Sequence, residues 1–265
     1  MALGHRDQGY DCLRVGNHEE AFTHATKVIQ LHRAAADGYR LRSHVCRFNG
    51  NTDQGISDAT ECIRLCSGKE LWMLIDAFCS RAELFLYKKD WGSAAADASE
   101  AIRLSGTHAH FARHRSWAHQ SRGNARLGLE DFAPAISEFS EAFRLNPKDA
   151  FSFRQRAYCH FRRGDFDQAI LDCTEAIRLD PNQAAWCCAT RAAAYLAKGE
   201  LDEAISSYTD AIRRDRDYAQ AYANRGEAHR RKGDLAAAEL DFTHALQLDP
   251  ADADTLGRTE LLRGA

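Results

Sequence analysis

Residues 219–252 read AQAYANRGEAHRRKGDLAAAELDFTHALQLDPAD. Small and apolar residues recur three and four apart on both sides of Gly233-Asp234, as in two amphipathic helices joined by a tight turn. Pro250, just beyond Leu248, stops the second helix. The same 34-residue pattern can be laid on 2–35, 36–69, 75–108, 116–149, 150–183 and 185–218, with inserts at 70–74, 109–115 and 184. Register is kept by small side chains. The eighth position holds Gly9, Ser43, Ala82, Gly123, Ala157, Ala192 and Gly226, and the twentieth holds Ala21, Gly55, Ala94, Ala135, Ala169, Ala204 and Ala238. Such residues let neighbouring helices approach to the short end of the usual axis separation, about 8–10 Å. The turns carry Gly16, Gly50, Gly164, Gly199 and Gly233, suited to the left-handed end of a helix. An internal repeat of this kind predicts a stack of helical hairpins.

The inserts read as helix extensions. Ser67-Gly68-Lys69-Glu70 has the form of a capping box, and Leu71-Trp72-Met73-Leu74 runs into the third block without a breaker. Thr107 offers a cap before the fourth block. The first helices of these two blocks are expected to be longer by one to two turns, which fills a packing gap or forms a ledge for a partner.

Composition narrows the function. The chain has 265 residues, 45% hydrophobic and 28% charged, with a net charge of −3. A globally basic nucleic-acid binder or membrane adherent is disfavoured. No apolar run approaches a membrane span, and the first residues resemble neither a signal peptide nor a myristoylation site. Nine cysteines without a regular framework fit reduced thiols, and a cytoplasmic location is expected. Gly-x-Gly-x-x-Gly, Gly-Lys-Ser/Thr, His-Glu-x-x-His and Cys-x-x-Cys are all absent, so neither an enzyme nor a cofactor is expected. His110 and His114, spaced i,i+4, come nearest to a metal pair, with His108 as a third candidate. A solvated basic face accounts for them at least as well, and no metal is expected. Cys62, Cys173 and Cys188 stand where the repeat wants a small apolar side chain.

With these spacings the chain resembles the tetratricopeptide repeat family over residues 2–252. Block 219–252 matches best, at Tyr222, Gly226, Gly233, Asp234, Ala238, Phe242, Ala245, Leu248 and Pro250. The first two blocks depart most, with Arg33 and Ser67 in place of the terminal proline and Gly55 in place of the packing alanine. The resemblance implies an all-α, right-handed superhelical solenoid of antiparallel helix pairs. Its first helices would line a concave groove, and the tail 253–265 would form a C-terminal capping helix.

Family geometry points the second, fifth, sixth, ninth, twelfth and thirteenth positions of each block into that groove. They carry eight arginines against five acids, opposite in sign to the whole chain. Residues 107–129 and 150–164 hold four arginines each, with histidines and aromatic residues, and no acid before Glu130 or between Ala150 and Gly164. Arginine beside aromatic side chains is the composition of a binding hot spot. The candidate groove residues are Arg113, Trp117, Gln120, Asn124, Phe151, Arg154, Gln155, Tyr158, Phe161, Arg162, Trp186 and Asn224. Family members that clamp chaperone C-termini place lysines, asparagines and an arginine on three successive first helices. Here the best frame, Gln120 and Asn124, then Gln155, then Trp186 and Thr190, matches only at Asn124, which disfavours that role.

The reading is a non-catalytic scaffold or adaptor that binds an acidic peptide or helix of a protein partner in its groove. The alternatives are a regulatory subunit of an enzyme complex and a solenoid for single-stranded nucleic acid. The second is disfavoured by the net charge, and self-association through an exposed end is left open.

Overall fold

The computed structural model describes residues 2–66 and 70–263. These form helices α1 (Ala2–Arg14), α2 (His18–Leu31), α3 (Ala36–Asn49), α4 (Thr52–Leu65), α5 (Leu71–Tyr87), α6 (Trp91–Ser105), α7 (Ala112–Gly128) and α8 (Phe132–Leu145). After them come α9 (Ala150–Arg163), α10 (Phe166–Leu179), α11 (Ala185–Lys198), α12 (Leu201–Arg214), α13 (Ala219–Lys232), α14 (Leu235–Leu248) and α15 (Ala253–Arg263). Among the described residues there is no strand. The chain divides into two compact units, Met1–Pro147 and Lys148–Ala265. Within each unit, consecutive helices pair (α1 with α2 through α7 with α8, then α9 with α10 through α13 with α14) and each pair packs on the next. In the second unit α15 packs on α14, burying Thr255 and Thr259, as expected of a cap.

The interior is built from alanine. Ala21, Ala94, Ala135, Ala169, Ala204 and Ala238 are fully buried where helices cross. Gly123 and Gly226 are forced by shape. A Cβ at either would lie 2.8 Å from the ring of Phe139 or Phe242, the fully buried aromatic side chain of the facing helix. The turns close in the left-handed conformation. In the third and fourth pairs Lys89 and Glu130, both at φ 58°, take the place held elsewhere by Gly16, Gly50, Gly164, Gly199 and Gly233. That is the strained choice for a residue with a Cβ.

The extensions fall at the short end of the one to two turns expected. Helices α5 and α7 run 17 residues against 14 in α3, α9, α11 and α13, which is about one turn. Thr107 does not cap α7, because a separate 3-10 turn at Ala109–Phe111 precedes it. The proposed capping box at residues 67–70 falls mostly outside the described residues; Glu70 precedes α5 without a side-chain cap.

Sequence reading missed a repeated ion pair. The seventh position of every block after the first is arginine, and sixteen residues on, in the second helix, stands an acid or serine. Arg42 binds Asp58 through two bonds of 2.7 and 2.8 Å; Arg81 binds Asp97, Arg156 binds Asp172 and Arg225 binds Asp241 in the same way. Arg122 meets Glu138 at 2.9 Å, and Arg191 meets Ser207 at 3.2 Å. The four aspartates are almost completely buried. Most of these arginines also reach a hydroxyl on the second helix of the preceding pair: Thr26 for Arg42, Thr60 for Arg81, Ser99 for Arg122 and Thr209 for Arg225. Each such guanidinium therefore ties three helices. Removing one partner of a buried pair strands the other charge. Asp97→Ala should lower the unfolding free energy by about 3–5 kcal/mol, whereas Arg81→Met with Asp97→Leu should recover most of that loss, as read by urea denaturation.

Candidate functional site

In the first unit the first helices α3, α5 and α7 lie side by side and line a cavity of about 730 Å³. Helices α3 and α7 contribute residues at helical spacing. Helix α3 contributes His44 and Arg47, α5 contributes Asp76, and α7 contributes Arg113, His114, Trp117 and Gln120; Arg40 and Glu83 lie behind this lining as partners of Asp76 and Arg47. Ser116, Leu145 and Asn146 complete the wall.

Asp76 is the centre of the floor and is 6% exposed. Arg40 donates to it at 3.0 Å, His44 Nε2 lies 2.9 Å away and His114 Nε2 3.6 Å away. Burial works against ionisation of this carboxyl, but His44, His114 and Arg40 together outweigh it and hold its pKa well below the usual carboxylate range. Arg40 is itself fixed, with the Tyr10 and Trp72 rings 5.0 and 4.6 Å from its guanidinium and Asp37 at 2.9 Å. Arg47 pairs with Glu83 at 2.6 Å, and its guanidinium lies 4.8 Å from the centre of the Trp117 ring. His44 meets the same ring edge-on at 6.4 Å.

This arrangement corrects the picture of two arginine-rich segments without compensating acids. Arg40 and Arg47 are neutralised within the floor, and the segments without acids in sequence acquire them in space. Arg122 and Arg156 point into their own pairs at Glu138 and Asp172, Arg126 lies 3.4 Å from Asp131, and Arg163 lies 3.4 Å from Asp165. Arg113, exposed on α7, is the lining cation that brings positive charge to the rim. His44 is a lining residue absent from the sequence candidates, although it stands at the ninth position of its block, one of the groove positions.

Of the sequence candidates, Arg113, Trp117 and Gln120 line this cavity, and Asn124 lies one turn further along α7. The others fall in the second unit. Phe151 and Arg154, with the guanidinium 5.2 Å from the ring, line a smaller hollow of about 440 Å³ with Lys148, Asp149, Leu179, Asp180 and Cys187. Asp149 there caps α9, accepting from the amides of Phe151 and Ser152 at 3.2 Å. Tyr158 meets Trp186 at 5.9 Å and accepts from Arg162 at 2.8 Å. Phe161 turns instead to Phe166 on its partner helix, at 5.8 Å. Gln155 stands one residue beyond Arg154 on α9, and Asn224 accepts from Gln220 at 3.5 Å. His110 packs on Phe111 at 3.9 Å while His114 turns to Asp76, so among the described residues these two histidines gather no third ligand.

Family models of the tetratricopeptide repeat match residues 150–183 and 219–252, and a third model of the same repeat matches 192–233. The chain is a tetratricopeptide repeat protein. No curated protein matches its sequence. Solved structures share its fold at low identity. A chain of the APC/C heterotetramer Cut9–Hcn1 is 13% identical with a TM-score of 0.74 over 96% of this chain and 48% of that one. This repeat protein thus spans about half the length of that relative. A tetratricopeptide repeat protein from Parabacteroides merdae is 18% identical with a TM-score of 0.64, over 99% of this chain and 98% of the other. YrrB, described as a TPR protein with an unusual peptide-binding site, is 15% identical with a TM-score of 0.51, over 89% of this chain and 97% of its own. No helix among the described residues is long and apolar enough to cross a membrane.

The Asp76 network has a pH signature. A carboxyl whose pKa is depressed by folding adds stability above the ordinary carboxylate range, and that stability is lost as pH falls through the folded-state value. Asp76→Asn should therefore lower stability at pH 7 and flatten the loss of stability below about pH 4, as read by denaturant unfolding at both pH values.

Proposed function

We propose that the chain is a non-catalytic interaction scaffold that holds an acidic extended or helical segment of another protein against the stripes of its first helices. Tetratricopeptide repeats serve in general as protein-interaction scaffolds, and the finer reading rests on the cavity over α3, α5 and α7. Its lining combines a half-buried indole, two arginines against one carboxylate, and two histidines already engaged with that carboxylate. An aromatic platform with a guanidinium at its rim suits a carboxylate-bearing side chain whose stem lies on Trp117 while its head pairs with Arg113. The floor cannot rearrange cheaply, because Arg40, Arg47 and Asp76 are each held by several partners. A rigid floor lowers the ordering cost of binding. The hollow of the second unit carries a lysine and an arginine against two aspartates, so it favours acidic ligands less. That a similar fold, YrrB, is described with a peptide-binding site agrees with this use of the fold.

The test is a peptide library graded in acidic content, presented to the immobilised chain. Retained peptides should be enriched in Asp and Glu and should wash off as salt rises. Arg113→Glu should weaken retention at least tenfold with helicity unchanged, about 1.4 kcal/mol or more. Arg154→Glu with Trp186→Ala tests the second unit in the same way. Enrichment in Lys and Arg would sink the acidic reading, and indifference to both sets of substitutions would sink the placement.

A further inference from the structure

The first helix pair breaks the ion-pair rule of the others. Where later pairs place arginine and its acid partner, this pair has Gln8 and His24. Around His24 a different set of groups converges. One donor atom from each of Cys12, Glu20 and His24 lies within 4.8 Å of the other two. Cys12 comes from the end of α1, while Glu20 and His24 stand one turn apart on the same face of α2. His24 Nε2 lies 3.8 Å from Glu20 Oε1.

The far sides of two of these groups are already held. Asn17 Nδ2 donates to Glu20 Oε2 at 2.7 Å, and Asn17 Oδ1 accepts from the Glu20 amide at 3.3 Å as the cap of α2. His24 Nδ1 lies 3.1 Å from His5 Nδ1, so one ring nitrogen of His24 is committed to a neighbour. Both outer contacts leave Glu20 Oε1 and His24 Nε2 turned toward each other, with a donor atom of each residue within 4.8 Å of Cys12 Sγ. Metal-ligating histidines and carboxylates are typically oriented in this way by a second layer of hydrogen bonds.

We propose that Cys12, Glu20 and His24 bind a divalent transition-metal ion, zinc by preference, with His5 and Asn17 orienting the ligands. One thiolate, one imidazole and one carboxylate are the donor types zinc takes, and sulfur with nitrogen excludes calcium and magnesium as the natural occupants. Zinc bonds of about 2.0–2.3 Å in a tetrahedral site put neighbouring donors roughly 3.3–3.8 Å apart. The His24–Glu20 separation of 3.8 Å is about 0.5 Å beyond the nitrogen–oxygen value at the short end of that range, and small rotations close the gaps. Three protein ligands leave a fourth position for water or for a donor from a docked partner. The ion would cross-link α1 to α2, the service that an arginine–acid pair performs in later repeats. None of these residues lines the cavity over α3, α5 and α7.

The experiment uses the full chain, stripped with a chelator and titrated with Co²⁺, then Zn²⁺. One equivalent of Co²⁺ should give a sulfur-to-cobalt charge-transfer band with strong visible bands of a four-coordinate site, and Zn²⁺ should displace it. Cys12→Ser should abolish the charge-transfer band. Glu20→Gln, an exposed change that keeps the Asn17 bond, should weaken binding at least tenfold, and His5→Ala should weaken it about 10- to 100-fold. Cys66→Ala, which alters a half-buried thiol outside the cluster, should change nothing. The proposal is overturned if the folded chain gives no band, if the band survives Cys12→Ser, or if binding is indifferent to both Glu20→Gln and His5→Ala.

Discussion

A guanidinium buried at the meeting of three helices is the constraint on which the stacking depends. In the second to seventh pairs it leaves the first helix at the same position and meets a carboxylate or hydroxyl sixteen residues later. In most of them it also reaches a hydroxyl of the preceding pair. Alanine-sized contacts allow close approach but permit sliding, because small apolar surfaces are nearly interchangeable along a helix. A two-pronged bond to a buried carboxylate has one good geometry. It sets the register within a pair and ties that pair to the one before. The spacing survives in the third and fourth pairs because their extra turn is added at the start of the first helix, outside the span from arginine to acid.

The same device explains the character of the candidate site. Arginines that look unpaired along the chain are used up by acids from elsewhere: Arg122 and Arg156 inside their pairs, Arg40 and Arg47 across neighbouring first helices. What remains is a surface with an internally neutral floor, one indole and a cation at the rim. The first pair, which lacks the arginine link, brings a thiol, a carboxylate and an imidazole together instead.

Much of the fold was legible in the linear pattern. Gly226 and Phe242, or Gly123 and Phe139, carry their complementarity in residue size alone, and Pro147, Pro181 and Pro250 mark helix ends wherever they occur. The site was legible only in part. Trp117 and Gln120 stand at groove positions and do line the cavity, as does Arg113 from the insert before the fourth block, whereas Phe161 stands at a groove position and meets Phe166 on its partner helix. His44 carries no formal charge and stood out only once Asp76 and Trp117 were placed beside it.

The amino-acid sequence by itself determined the period, the helix pairs and the small residues at their crossings. Helical periodicity, chain breakers and side-chain volume are local properties, readable without knowing what lies opposite. Only the tertiary structure decided which arginines are spent within the scaffold and which reach the cavity, and which thiol stands beside which imidazole. Charge pairing and ligand clustering depend on distances between residues far apart in the chain. A count along one helix carries no information about the acid that a neighbouring helix delivers.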